Sequence, residues 1–243
     1  MSSAFQTVDF YARLPAKYQS KQRTYPNYDK IKISIPSRII LNGASGSGKS
    51  NCLLNLIVGM NCFDKIYLFV KNPQEPLYNF FINEMMEIEK KMDTSILTVS
   101  TELDDLPEVD DFDPQCNNLV VFDDMISEKS IKLKRIQDLW IRGRKHNITT
   151  IFLSQSFYKI PQLVRQNSDI LMFKKIATKR DLSMILSEYG GLGVDIDELK
   201  AMYKFCDTSK ITNFLMIDMS PGQKPEYVFR KNFSPILRKT EEE

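Results

Sequence analysis

Residues Gly43-Ala44-Ser45-Gly46-Ser47-Gly48-Lys49-Ser50 satisfy the spacing G-x-x-x-x-G-K-[ST], and each residue type in it has a use in holding a triphosphate. The glycines let the backbone come close to the phosphates and adopt positive φ. Successive N–H groups then form an anion-binding nest at the start of a helix. Lys49 is expected to reach the β- and γ-phosphates, and Ser50 to offer its hydroxyl to Mg²⁺. The pattern predicts that the chain binds Mg-ATP and hydrolyses it. Chance produces such a match in about one chain in a hundred of this length, and the flanking strand-like and helix-like segments argue against chance here.

A hydrolytic site on such a loop needs a carboxylate at a neighbouring strand end. The apolar run Leu119-Val120-Val121-Phe122 leads into Asp123-Asp124. Asp123 is expected to support the metal and Asp124 to polarise the attacking water as general base. A further strand-like run ends in Ser154-Gln155-Ser156. Parallel α/β sheets bind ligands beyond the carboxyl ends of their strands, so Gln155 is expected to hydrogen-bond the water or the γ-phosphate. Between these two runs lies Arg142-Gly143-Arg144-Lys145-His146. Arg144, or else Arg142, is a candidate to stabilise charge on a transferring phosphoryl group, often across a subunit boundary. The alternative is a solvated basic helix end, where cations are also favourable. His146 is assigned no role.

These residues need a scaffold, and the apolar spacing predicts one. Residues 31–35 read as a strand, followed by a second over residues 38–42 that feeds the glycine loop. Leu53, Leu54, Ile57 and Val58 fall at helical spacing after the loop. Phe81, Met85, Ile88 and Met92 recur as an amphipathic stripe. Strands are expected over residues 66–70, 96–99, 119–122, 148–153 and 170–173. Between the third and fourth of these, Leu133, Ile136 and Trp140 mark a helix with Arg135, Asp138 and Arg142 on its other side. Residues 102–114, acidic and broken by proline, read as a solvated loop. Two helices near 182–189 and 199–206 and two late strands near 214–217 and 227–229 complete the pattern. Strands alternating with helices imply parallel βαβ units in an open twisted sheet. The expected organisation is an irregular arm over 1–30, a nucleotide domain over 31–220, and a strand with a charged tail over 221–243.

The 243 residues suit one α/β domain, and 42% apolar content suits a sizeable core. A net charge of +2 says nothing about partners. Cys52, Cys62, Cys116 and Cys206 form no C-x-x-C pair and read as reduced thiols. Met1-Ser2-Ser3-Ala4-Phe5 has no leader character, and no apolar run nears the roughly 20 residues a membrane span needs. An intracellular protein without a membrane partner is expected. Thr178-Lys179-Arg180-Asp181 resembles a guanine-specificity motif, but Asp123-Asp124-Met125-Ile126 lacks the D-x-x-G of a switch GTPase.

Taken together, Gly43–Ser50, Asp123-Asp124, Arg142-Gly143-Arg144 and Ile151-Phe152-Leu153-Ser154-Gln155-Ser156 resemble the genome-packaging ATPases of large double-stranded DNA viruses. The poxvirus and the virophage and Polinton-type packaging ATPases of the FtsK/HerA superfamily are the nearest in pattern. Residues 160–169 resemble the stretch that follows the glutamine strand in that family. Many members carry glutamate where this chain has Asp124. The resemblance implies an additional-strand, RecA/FtsK-like P-loop fold: a mostly parallel sheet flanked by helices, with an extra strand between the loop strand and the acidic strand. It also implies a homo-oligomeric ring with an arginine donated between subunits, double-stranded DNA passing through it, possible contact with capsid proteins, and a location in host cytoplasm, viral factory or virion. Three basic clusters tolerate a DNA partner by phosphate contact: Lys129, Lys132, Lys134, Arg135, Arg142, Arg144 and Lys145; Lys174, Lys175, Lys179 and Arg180; and Lys224, Arg230, Lys231, Arg238 and Lys239. Two other readings share the loop: a kinase of a small molecule or nucleoside, and a nucleotide-gated assembly protein without turnover.

Overall fold

Apolar, branched runs that alternate with amphipathic helices bury both faces of a parallel sheet, and the computed structural model shows such a sheet. It describes residues 8–10, 12–15, 25–125 and 130–236, with side chains in the fourth helix described from Leu133 onward. Much of the expected arm, the tail with Arg238 and Lys239, and the side chains of Lys129 and Lys132 lie outside the described residues.

In chain order the elements are α1 (Tyr28–Ile31), β1 (Arg38–Asn42), α2 (Lys49–Met60), β2 (Lys65–Val70), α3 (Pro76–Met92), β3 (Leu97–Ser100), β4 (Asn118–Asp123), α4 (Ser130–Arg142), β5 (Ile148–Ser154), α5 (Gln162–Gln166), β6 (Ile170–Phe173), α6 (Lys179–Tyr189), α7 (Ile196–Phe205), β7 (Leu215–Asp218), β8 (Phe229–Lys231) and β9 (Ser234–Pro235). The strands form one nine-stranded sheet in the order β3-β2-β4-β5-β1-β6-β7-β8-β9. From β3 through β6 all neighbours are parallel, and β7, β8 and β9 add antiparallel strands at one edge. β5 lies between β1, which feeds the glycine loop, and β4, which ends at the acids. This is the α/β architecture with an added strand.

Side chains alternate between two cores, as the period of a strand requires. Ile39 and Leu41 face α1, α2 and α3, together with Leu119, Val121, Ile151 and Leu153. Ile40 faces the other side with Val120, Phe122 and Phe152, under α4 to α7. On that side Phe69 stacks on Phe122 at 5.6 Å, and Trp140 of α4 meets Phe152 edge-on at 6.3 Å. Helix ends follow their cap residues. α2 and α3 stop at Asn61 and Asp93, both at positive φ, whereas α6 and α7 start on Thr178 and Asp195, whose side chains accept from backbone N–H groups of the first turn.

Three expectations need correction. The strand expected over 31–35 is the end of α1 and an extended segment, with only Ile35 in a bridge; its apolar residues pack under the sheet without joining it. The stripe on α3 is buried at Phe81, but Ile88 and Met92 are 41% and 63% exposed. The acidic segment 102–114 is docked rather than solvated: Leu103, Leu106, Val109 and Phe112 are all buried. Arg135 of α4 holds it, donating to the carbonyls of Leu103 and Asp104 at 3.2 Å, to that of Leu106, and to Glu108 at 3.0 Å. The three-residue apolar spacing within the acids is the sequence signal for this. Leu106→Ala is expected to cost about 2–5 kcal/mol in chemical denaturation, the range for truncating a buried leucine. A solvated loop would lose less than about 0.5 kcal/mol.

Candidate active site

β1 delivers the chain into the loop at the carboxyl edge of the sheet, and α2 leaves it with its N-terminus facing the loop interior. Two glycines are required by contact. A Cβ on Gly43 would sit 2.5 Å from the Cβ of Lys174, and one on Gly48, where φ is +88°, would sit 2.4 Å from Ile211 Cγ1. Lys174, directly after β6, is buried, and its ammonium donates to the Ile211 carbonyl at 2.5 Å. The segment around Ile211 is thereby pinned over the loop. Lys49 spans the loop, its Nζ donating to the carbonyls of Gly43 at 3.0 Å and Ala44 at 3.1 Å. Burial lowers the pKa of this ammonium, against the opposing charges of Asp123, Asp124 and Glu75.

A cleft of about 390 Å³ opens on this loop. It is lined by Gly46, Gly48, Lys49 and Ser50 on one side and by Asp123, Asp124 and Gln155 on the other, with Ile211 and the segment from Val70 to Leu77 completing it. Its size falls in the range of small-ligand sites. Asp123 ends β4, and its carboxylate accepts a 2.5 Å hydrogen bond from the Tyr78 hydroxyl. Burial raises the Asp123 pKa, while the Tyr78 hydrogen bond and Lys49 pull it back down. Asp124 follows at φ 57°, a left-handed conformation that aspartate tolerates better than most residues. Gln155, just past β5, donates from Nε2 to Asp124 Oδ2 at 3.2 Å. The structure thus gathers Lys49, Ser50, Asp123, Asp124 and Gln155 in one cleft.

Two hard oxygen donors, Ser50 and Asp123, line the same cleft. This fits Mg²⁺, which takes few protein ligands and leaves the rest of its shell to water and phosphate oxygens. Among the described residues no group of three or more His, Cys, Asp or Glu forms a self-sufficient metal site.

The loop carrying Gln155 is held from behind. Asp181, buried in the first turn of α6, accepts from Ser156 Oγ at 3.1 Å and the Tyr158 N–H at 2.8 Å through one oxygen, and from Thr178 Oγ1 at 3.1 Å through the other. The guanine-motif look-alike at 178–181 therefore supports the glutamine loop and does not face the cleft. Tyr78, Lys174 and Asp181 were not anticipated as site residues. Tyr78 extends the Phe81–Met85 stripe by one turn toward the helix start, a signal that was available; a buried lysine after a strand leaves no such trace.

The two arginines stand elsewhere. Arg142 pairs with Asp138 at 3.0 Å and Asp110 at 2.9 Å. Arg144 lies 3.4 Å from Asp169, which also holds the backbone N–H and guanidinium of Arg38. Arg38 begins β1, whereas the glycine loop follows its end. The five residues of β1, at about 3.3 Å each, separate Arg144 from the loop by roughly 15 Å along the sheet. Within one chain neither arginine is brought to the cleft. The basic clusters also divide. Arg135 is spent on the acidic segment, Lys174 is buried, and Arg230 is buried in an ion pair with Asp218. Lys134, Lys145, Lys175, Lys179, Arg180 and Lys224 stay on the surface.

The family model described as Poxvirus A32 protein matches residues 27–220. No curated protein matches the chain by sequence. Among solved structures, the chain is similar to B204, the DNA-packaging ATPase from Sulfolobus turreted icosahedral virus, with 14% identity over 84% of this chain and 99% of that chain and a TM-score of 0.56. It is also similar to the genome packaging NTPase B204 from Sulfolobus turreted icosahedral virus 2 in complex with AMPPCP, with 14% identity over 83% and 99% of the two chains and a TM-score of 0.53. The same protein in complex with ATP-gammaS gives 13% identity over 83% and 98% and a TM-score of 0.51. At such identities the likeness is one of fold.

Proposed function

The chain belongs to the poxvirus A32 protein family, and from that premise we propose that it is a Mg-ATP-dependent ATPase that moves viral double-stranded DNA into a capsid. The observation that carries the hydrolytic part is the convergence of Lys49, Ser50, Asp123, Asp124 and Gln155 on one cleft. The packaging role draws on the family and on what the B204 structures are described as.

In this reading the N–H groups of the loop and of the first turn of α2 receive the β- and γ-phosphates. Lys49 exchanges its contacts with the Gly43 and Ala44 carbonyls for phosphate oxygens. Ser50 and Asp123 hold Mg²⁺, which supplies charge neutralisation to the phosphate oxygens. Asp124 accepts the proton of the attacking water, and Gln155, now on Asp124, orients that water and registers the γ-phosphate. Arg144, or Arg142, reaches the site of a neighbouring subunit, which agrees with the position of both at the opposite edge of the sheet from their own loop. Apolar residues left exposed on α3, among them Phe80 and Met86 at 61% and 58%, support contacts between subunits of a ring. The surface lysines at the start of α6 suit DNA phosphates. Among the described residues no helix is long and apolar enough to cross a membrane.

The test is the hydrolysis rate of the assembled protein with and without double-stranded DNA, over a range of salt. Stimulation by DNA that fades as salt rises is expected. Asp124→Asn should bind ATP as the parent does and turn over about 10²- to 10⁴-fold more slowly, the usual weight of general-base catalysis. Full-rate turnover by this variant removes the base assignment, and a rate indifferent to DNA at every salt concentration removes the motor.

A further inference from the structure

One buried phenol holds a carboxylate assigned to the metal. Tyr78 lies in the first turn of α3, fully buried, with its ring in the core beneath β4 and α2. Its hydroxyl has one proton to give and lone pairs to receive. It gives the proton to Asp123 Oδ2 at 2.5 Å. This bond has a directional consequence. A carboxylate fixed through Oδ2 leaves Oδ1 for the cleft. The phenol stays protonated for this task, since burial and the Asp123 charge raise its pKa well above the ordinary tyrosine value.

We propose that Tyr78 is a positioning residue for the metal, holding the Asp123 carboxylate in the orientation that receives Mg²⁺ with the nucleotide. This rests on the nucleotide reading given above. It goes beyond the glycine loop and the acid pair by assigning the first turn of α3 to the metal, through the same residue that anchors that helix in the core.

The experiment uses the full chain and a non-hydrolysable ATP analogue, with affinity measured as Mg²⁺ is titrated from zero. Tyr78→Phe removes one oxygen and keeps the ring in the core, and thermal unfolding of each protein is followed alongside. Outer-shell partners of a metal typically control its affinity by 10- to 100-fold. Tyr78→Phe is therefore expected to need at least about 10-fold more Mg²⁺ for half-maximal tightening, with metal-free affinity within about 2-fold of the parent. Ser50→Ala should move the Mg²⁺ midpoint in the same direction. An unchanged Mg²⁺ midpoint in Tyr78→Phe overturns the proposal, as does an equal loss of affinity with and without the metal, which is the mark of a packing role alone. A parent protein whose nucleotide affinity ignores Mg²⁺ overturns the nucleotide reading itself and the proposal with it.

Discussion

Lys49→Ala is expected to lower ATP turnover by about 10³-fold or more, on the scale of removing a group that meets charge on a transferring phosphoryl. Three effects act together. The variant loses a cation on the loop that faces the charges of Asp123 and Asp124. It frees the Gly43 and Ala44 carbonyls that Lys49 holds, which loosens the loop. It also leaves Asp123, Asp124 and Glu75, whose charges act on Lys49 in the folded chain, to repel an incoming triphosphate. Binding should therefore weaken along with turnover. The fold should survive, because neither core includes this residue. The check is steady-state hydrolysis beside a thermal melt: turnover near the parent rate in a folded Lys49→Ala protein contradicts the assignment.

The largest effect on stability is expected far from the cleft. Asp218, ending β7, and Arg230 of β8 are both fully buried and paired. Arg230 also donates to the Ile31 carbonyl at 2.7 Å, and Gln223 donates to the same carboxylate at 2.6 Å. This network ties α1 to the antiparallel edge of the sheet. Burial of Arg230 is the reason it cannot serve in a DNA-facing cluster. Asp218→Ala leaves its guanidinium buried without a counter-charge, and breaking such pairs costs about 3–5 kcal/mol. At about 2–4 °C per kcal/mol for a chain of this size, the melting temperature should fall by roughly 6–20 °C. Replacing both partners, as Asp218→Leu with Arg230→Met, should restore most of the loss, since apolar substitutes for buried pairs are often neutral. A shift under about 2 °C for Asp218→Ala would place the pair in solvent.

The parts that could be read from sequence are local. A strand, a glycine loop and a helix adjoin in the chain, so type and spacing suffice to bring Gly43 to Ser50 together, and the same holds for acids at a strand end. Position in the sheet is a property of pairing. That β5 separates β1 from β4 came from family resemblance, since no residue in β5 announces its neighbours. The strand expected over 31–35 failed because the same branched, apolar residues serve a segment packed under the sheet. The 102–114 segment was misread because charge dominated its composition, whereas its burial follows the positions of Leu103, Leu106, Val109 and Phe112. Charge counted along the chain overstated the basic surface for the reverse reason: Arg135, Lys174 and Arg230 are consumed by partners distant in sequence. Tyr78 and Asp181 act through such distant contacts as well, 45 and 25 residues from Asp123 and Ser156.

Calorimetric titration of the full chain with a non-hydrolysable ATP analogue, in Mg²⁺ and in chelator, tests the central claim most directly. The geometry around residues 43–50 predicts saturable binding at one site per chain that tightens with Mg²⁺ and weakens in Lys49→Ala. Absence of measurable affinity for any nucleoside triphosphate in Mg²⁺, for monomer and assembly alike, would contradict it.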